Sequence, residues 1–239
     1  SKGNTVDPEE LIKKYGADTV RLFVMFAAPP EHTLEWSDTA VEGSYRFINK
    51  LWRLVEDYIE SKPNNVPSIS ADLNEGQSAL RRKLHETINK VTDDMGRRHT
   101  FNTAIAANME LANELQSFED MSEQGKAVYQ EALQGIILML APILPHVCHV
   151  LWQRLGNEKA IYEAQWPSVD QNALKKDSID LVVQVNGKKR ATIKLPVKAE
   201  KLEIEAVALE DENVKKFIED KNIVKVIVVP GRLINIVVK

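Results

Sequence analysis

DPEELIKKYGADTVRLFVMFAAPPEHTLEW, residues Asp7 to Trp36, reads as two short helices divided by a glycine. Asp7 suits an N-cap, and Pro8 suits the first helical position, where a missing N–H costs nothing. Glu9 and Glu10 favour the positive end of that helix. Leu11, Ile12 and Tyr15 make its apolar side, and Gly16 stops it. Asp18 is then expected to cap a second helix, Thr19 to Ala28, which Pro29-Pro30 ends. Its run of Val20, Leu22, Phe23, Val24, Met25 and Phe26 is continuous enough to predict burial. Arg21 is the only charge inside that run. Buried charges are normally paired, so an ion pair with Asp18 or a neighbour is expected, the alternative being an arginine turned to a ligand surface.

Downstream, the 3.6-residue period recurs in several more helices. After a short extended piece, Leu34 to Trp36, Ser37 caps a long helix to about Ser61, with Phe47, Leu51, Val55 and Tyr58 as its stripe, widened by Ile48 and Ile59. A Pro/Asn/Ser-rich loop covers Lys62 to Gly76. The next helix runs from about Gln77 to Arg97 on Leu80, Leu84, Ile88 and Val91. Thr100 caps another, Phe101 to Phe118, on Phe101, Ile105, Met109, Leu111 and Leu115. A helix from Ser122 has the wholly apolar centre Ile136 to Leu140, the expected core, and Pro142 and Pro145 break it. Pro145 opens a last helix, to Gly156, carrying Val147, Val150, Leu151, Trp152 and Leu155. Helices joined by short loops in this way make an antiparallel bundle.

Past Trp166-Pro167 the period changes to two. Leu181–Val185 and Lys188–Leu195 flank Asn186-Gly187, the strongest short hairpin signal. Helices at about 200–209 and 213–219 come next, then strands 223–229 and 233–238 around Pro230-Gly231. The chain is therefore multidomain and mainly α: a helical bundle, then a small α+β domain.

Charge divides along the same line. Residues 1–174 hold 17 Lys and Arg against 25 Asp and Glu, a charge of −8, while residues 175–239 hold 14 against 10, or +4. A basic tail on an acidic body points to a polyanion contact late in the chain. Lys188, Lys189 and Arg190 come directly after the Asn-Gly turn and are expected to project at its tip, with Lys225 and Arg232 extending the patch. On the bundle, Arg46, Lys50 and Arg53 stand at i, i+4 and i+7, a single basic stripe. Lys83, Lys90 and Arg97, seven apart, make a second strip for phosphates. Against that stands neutralisation by Glu86, Asp93 and Asp94 at helical spacing.

No apolar run reaches the roughly 18 residues of a membrane span. With one cysteine, Cys148, there is no intrachain disulfide, and a reducing compartment, the cytoplasm, is expected. His146, Cys148 and His149 lack a further ligand cluster, so no metal site is expected. Asp93-Asp94 reads as a helix-surface pair, and no phosphate-cradling glycine motif is present. No complete catalytic constellation is found.

The opening, SKGNTVDPEELIKKYGADTVRLFVMFAAP, resembles the segment after the KMSKS loop of class I aminoacyl-tRNA synthetases, in the leucine, isoleucine and valine group. Ser1 matches the last residue of that loop, and Lys2, Gly3, Asn4, Asp7, Pro8, Tyr15, Gly16, Ala17, Asp18 and Arg21 match the family's residues beyond it. GRRHTFNTAIAANMELANEL and APILPHVCHVLW resemble segments of the group's helical anticodon-binding domain, with His149 where an acidic residue is usual. LVVQVNGKKRATIKLP with VKVIVVPGRLINIVV resembles the small C-terminal domain of the bacterial-type leucine members. The isoleucine members instead end in a cysteine-ligated zinc and the valine members in a coiled-coil arm.

The resemblance implies a stem-contact segment at 1–36, a bundle of class I anticodon-binding type at 37–166, a linker at 167–178 and a tRNA-binding domain at 179–239. It implies a piece of a longer enzyme that uses ATP and Mg to attach leucine to tRNA(Leu) and edits mischarged products. Ser1 and Lys2 would be the remnant of its ATP loop. The piece itself is expected to hold no catalytic residue and no cofactor, and to dock tRNA as a monomer beside the upstream domains. The other readings are a protein-interaction or structural helical module, and the same part of an isoleucine or valine enzyme.

Overall fold

Asp7 and Ser122 behave as their positions demand. In the computed structural model, which describes residues 7–29, 31–34, 36–61, 68–175, 178–197, 199–219, 221–229 and 231–239, each accepts a backbone N–H at the start of a helix. The readings on Ser1 and Lys2, on 62–67, on Pro30, Glu35 and Pro230 lie outside the described residues. The chain forms two units, residues 1–174 and 175–239.

The first unit runs α1 (Pro8–Tyr15), α2 (Ala17–Ala27), α3 (Asp38–Ser61), α4 (Glu75–Asp93), α5 (Phe101–Ser117), α6 (Glu123–Leu140) and α7 (Pro145–Arg154). The stripes predicted from sequence converge. Leu51, Val55, Leu84, Ile88, Ile105, Leu111, Ile136, Ile137 and Leu140 are all within 2% of complete burial, each contributing roughly 1.5–3 kcal/mol of transfer free energy. α4 begins ahead of its apolar period because Asn74 and Gln77 close a reciprocal capping box.

Three departures have physical causes. α4 continues as a π-helical turn, Asp94–Arg98. The extra residue carries the Asp94 carboxylate inward, 1% exposed, to the Thr103 hydroxyl at 2.6 Å and Lys90 Nζ at 2.7 Å. Thr100 makes no side-chain cap for α5, because its hydroxyl is turned to Thr103 instead. The buried helix expected at 19–28 buries Leu22 and Phe23 but leaves Val24 45% and Phe26 38% exposed, and α1 has no buried residue. Only one side of α2 meets the bundle. Leu138 in the apolar centre of α6 is half-buried.

Asp18 and Arg21 are used otherwise than expected. α2 starts at Ala17 behind Gly16, whose φ of 85° and ψ of 154° suit glycine alone, and Asp18 does not cap it. Instead Asp18, 5% exposed, accepts the Val147 N–H of α7 at 2.8 Å and contacts His146 Nδ1 at 2.9 Å. Among the described residues Arg21 has no carboxylate within ion-pairing distance; its Nε and Nη2 donate to the carbonyls of Ile143 and Pro142 at 2.9 and 3.1 Å. One turn of α2 thus satisfies both the carbonyls leaving α6 and an amide entering α7.

The second unit has β1 (Ser178–Val185), β2 (Lys188–Pro196), α8 (Lys201–Glu210), α9 (Glu212–Ile218), β3 (Ile223–Val229) and β4 (Leu233–Val238). The strand order is β2-β1-β4-β3, antiparallel except for the central parallel pair β1 and β4, in register Val182 to Leu233 and Val185 to Ile236. Leu181, Val183, Ile193, Ile234 and Ile236 share one core with Ile204, Ala208 and Val214 of the helices.

Candidate nucleic-acid interface

On α3 the basic stripe survives folding in part. Arg46 and Arg53 are exposed, and neither has a carboxylate within ion-pairing distance among the described residues. Lys50 is half-buried and donates to Asn113 Oδ1 of α5. Burial, helped by the Arg53 charge, lowers its ammonium pKa. One of its three N–H donors is engaged and its stem is partly covered, so among the described residues of this stripe the two arginines are the more open cations.

The α4 strip is neutralised, partly by acids the sequence did not single out. Lys83 pairs with Glu110 of α5 at 2.8 Å, Lys90 with Asp94 at 2.7 Å, and Arg97 with Asp93. The Lys83 hydrogen bond holds the Glu110 carboxyl below its ordinary range. Burial opposes ionisation of Asp94, but bonds from Lys90, Thr103 and Thr100 outweigh it and keep its pKa low. The π-helical turn also takes Arg97 off the seven-residue phase that would align it with Lys83 and Lys90. Arg81 is likewise tied, to Glu131 and Asp170 at 2.9 Å each. Asp170 N–H and Trp166 Nε1–H reach His85 and Thr92, so residues 166–170 are held on α4 rather than forming a free linker.

In the tail, Asn186 (φ 50°) and Gly187 (φ 78°) make a turn with both residues left-handed. The Asn186 side chain bonds the backbone of Val238 in both directions, at 3.0 and 3.1 Å, and Gly187 N–H donates to Asn235 at 3.0 Å. The tip is therefore rigidly tied to the end of β4. Lys188 and Lys189 are exposed there. Arg190 is not at the tip: its guanidinium lies over the Phe217 ring of α9, 3.7 Å from the centroid.

Register decides which other cations belong. Lys225 pairs with Val237 and Val185 with Ile236, so Lys225 lies at the same end of the sheet as the β1–β2 turn. Asn222 and Lys239 exchange backbone hydrogen bonds across that end, which brings Lys221 and Lys239 there too. Arg232 stands at the opposite end, before Leu233, which pairs with Val182. Sequence reasoning missed Lys221 and Lys239 because only the parallel β1–β4 pairing gathers them. Among the described residues no group of three or more His, Cys, Asp or Glu could hold a metal ion, and no helix is long and apolar enough to cross a membrane.

Residues 77–206 match the family described as the anticodon-binding domain of tRNA ligase. The leucine–tRNA ligase of Thioalkalivibrio sulfidiphilus is 60% identical over 240 residues, covering 100% of this chain and 29% of that protein. That of Hahella chejuensis is 59% identical, covering 100% and 28%. The chain thus spans less than a third of the length of these relatives. Among solved structures, a ternary complex of Agrobacterium radiobacter LeuRS with tRNA and LeuAMS superposes with a TM-score of 0.79 at 28% identity, over 100% of this chain and 31% of that one. The methionyl-tRNA synthetase of Mycobacterium tuberculosis, at 18% identity and a TM-score of 0.51 over 62% of this chain and 34% of that one, shares the fold. With more than half of its residues matched, this chain belongs to the anticodon-binding domain family of tRNA ligases.

Proposed function

We propose that this chain is the tRNA-docking portion of a leucine–tRNA ligase. The longer protein attaches leucine to tRNA(Leu) with ATP and Mg, in the cytoplasm, and carries its catalytic and editing centres in other domains. The observation that carries the reading is the rigid basic end of the tail sheet, where Lys188 and Lys189 are exposed beside Lys225. Together with Arg46 and Arg53 on α3, these cations contact the phosphate backbone, the tail at the outer corner of the tRNA and α3 on the side of the D-arm. The paired cations Lys83, Lys90 and Arg97 contribute less, because each must first leave its carboxylate. Exposed Ile12, Val24 and Phe26 support packing of α1 and α2 against another domain of the longer chain. Fluorescence anisotropy with tRNA(Leu) and an unrelated tRNA tests the reading: tighter binding of tRNA(Leu) is expected, and equal or absent binding at low salt opposes it. The chain alone is expected to catalyse no ATP–pyrophosphate exchange.

A further inference from the structure

The amine of Lys50 is placed unlike those of Lys13, Lys83 and Lys90. Each of those three faces a carboxylate, which favours the ammonium form. Lys50 has no carboxylate within ion-pairing distance among the described residues. Its partner is the Asn113 amide oxygen of α5, which an uncharged amine satisfies as a charged one does. Its neighbours one turn away on α3 are Arg46 and Arg53, both exposed. Half-burial, with the Arg53 charge, moves the Lys50 pKa below the ordinary lysine value, so the free amine, the nucleophilic form, is more abundant here than on a solvated lysine. The Asn113 contact is itself exposed to solvent, so a small electrophile has access to the nitrogen.

The same surroundings suit the anion that forms when such an amine takes up carbon dioxide. An ammonium at Lys50 is repelled by the flanking guanidinium charges, and an uncharged adduct gains nothing from them. A carbamate presents a planar, two-oxygen negative head of carboxylate shape, the group that guanidinium forks hold best. It also keeps one N–H, the donor that Asn113 accepts. Reactant and product are thus both served by the residues present: an amide and two cations with no competing carboxylate.

We infer that Lys50 is a carbamylation site for carbon dioxide, its carbamate held by Arg46 and Arg53. The Nζ lone pair attacks the carbon of carbon dioxide and a C–N bond forms. One C=O π pair moves onto oxygen, and the proton released from nitrogen goes to water. Nothing is oxidised or reduced, and the side chain passes from positive to negative. The inference does not require the α3 arginines to meet RNA. ¹³C NMR of the 239-residue chain in ¹³C-bicarbonate and carbon dioxide at constant pH tests it. Trapping of the carbamate with triethyloxonium and peptide mass spectrometry names the residue. A carbamate resonance that disappears in Lys50→Arg is expected, while the α-amino group of the chain, which also takes up carbon dioxide, keeps its own as an internal reference. Arg46→Ala/Arg53→Ala is expected to lower the occupancy of Lys50 by about three- to five-fold, as loss of exposed charge pairing does, with thermal melting showing the fold retained. A trapped label on Lys50 no greater than on Lys83 or Lys90, or equal occupancy in the folded double arginine variant, would overturn the inference.

Discussion

The Asp18 carboxylate of α2 accepts the Val147 N–H at 2.8 Å and so caps α7 from another helix. The residue at the N-cap position itself is Leu144, which has no side-chain acceptor. Removing the borrowed cap leaves a part-buried amide without its protein partner. Asp18→Ala is expected to destabilise the first unit by about 2 kcal/mol, and Asp18→Asn, which keeps one acceptor, by about half that, read as the urea midpoint at unchanged m-value. Equal midpoints for wild type and the alanine variant would show the cap to be idle.

Arg21 holds the other side of the same corner through the carbonyls of Ile143 and Pro142. Arg21→Gln is expected to cost about 1–2 kcal/mol, as hydrogen bonds to a charged donor do. Because both residues position one turn, the double variant with Asp18→Ala should cost less than the two losses added, by about 0.5 kcal/mol or more. Strict additivity would mean that the two contacts act independently.

Two helical glycines should respond to alanine to very different degrees. A Cβ on Gly125 would stand 2.1 Å from the Asp120 carbonyl oxygen, a backbone atom. A Cβ on Gly135 would meet first the Leu84 side chain, its methyl at 2.6 Å, a group that can turn. Gly125→Ala is expected to cost about 3 kcal/mol. Gly135→Ala should change stability by less than about 1 kcal/mol, since the gain in helix propensity offsets the repacking. Calorimetric melting of the two variants separates them.

Asp120 organises the loop before α6, and bonds from Ser122, then Asn74 and Gln77, hold its carboxyl at about 2, below the ordinary 3.8. A carboxyl depressed on folding contributes stability that is complete above its unfolded pKa and lost as pH falls through the folded one. The contribution should therefore disappear between about pH 4 and pH 2. Asp120→Asn is expected to flatten that part of the melting-temperature profile relative to wild type; an unchanged acid limb would discount the loop.

Much of this fold is legible in the residues, and the exceptions share a cause. The stripes at Leu51, Val55, Leu84 and Ile105 repeat at 3.6 residues because each faces one core, so local period reports tertiary burial. Asn186-Gly187 sets its own turn, and both flanking strands obey it. Asp18 and Arg21 escape a local reading because their partners lie more than 120 positions away, where no neighbour rule reaches. Likewise, the spacing of Lys83, Lys90 and Arg97 is visible, but Glu110 and the π-helical turn that settle their charge are set by packing between α4 and α5. Arg190 departs from the tip for a similar reason: Phe217 of α9 offers it a ring face. Arg232 and Lys225 fall at opposite ends of the β3–β4 hairpin, and only the parallel pairing of β1 with β4 decides that the Lys225 end is the one beside the β1–β2 turn.

The central claim is that the tail's basic end meets tRNA phosphates. The direct test is tRNA(Leu) affinity as a function of salt for wild type, Lys188→Ala/Lys189→Ala and Arg190→Ala. Each lost phosphate contact should lower the slope of log K against log salt by roughly 0.7–0.9, so the double variant should be visibly flatter and weaker. Arg190→Ala, whose guanidinium is stacked on Phe217, should keep the wild-type slope. An unchanged slope and affinity in the double variant would contradict the account.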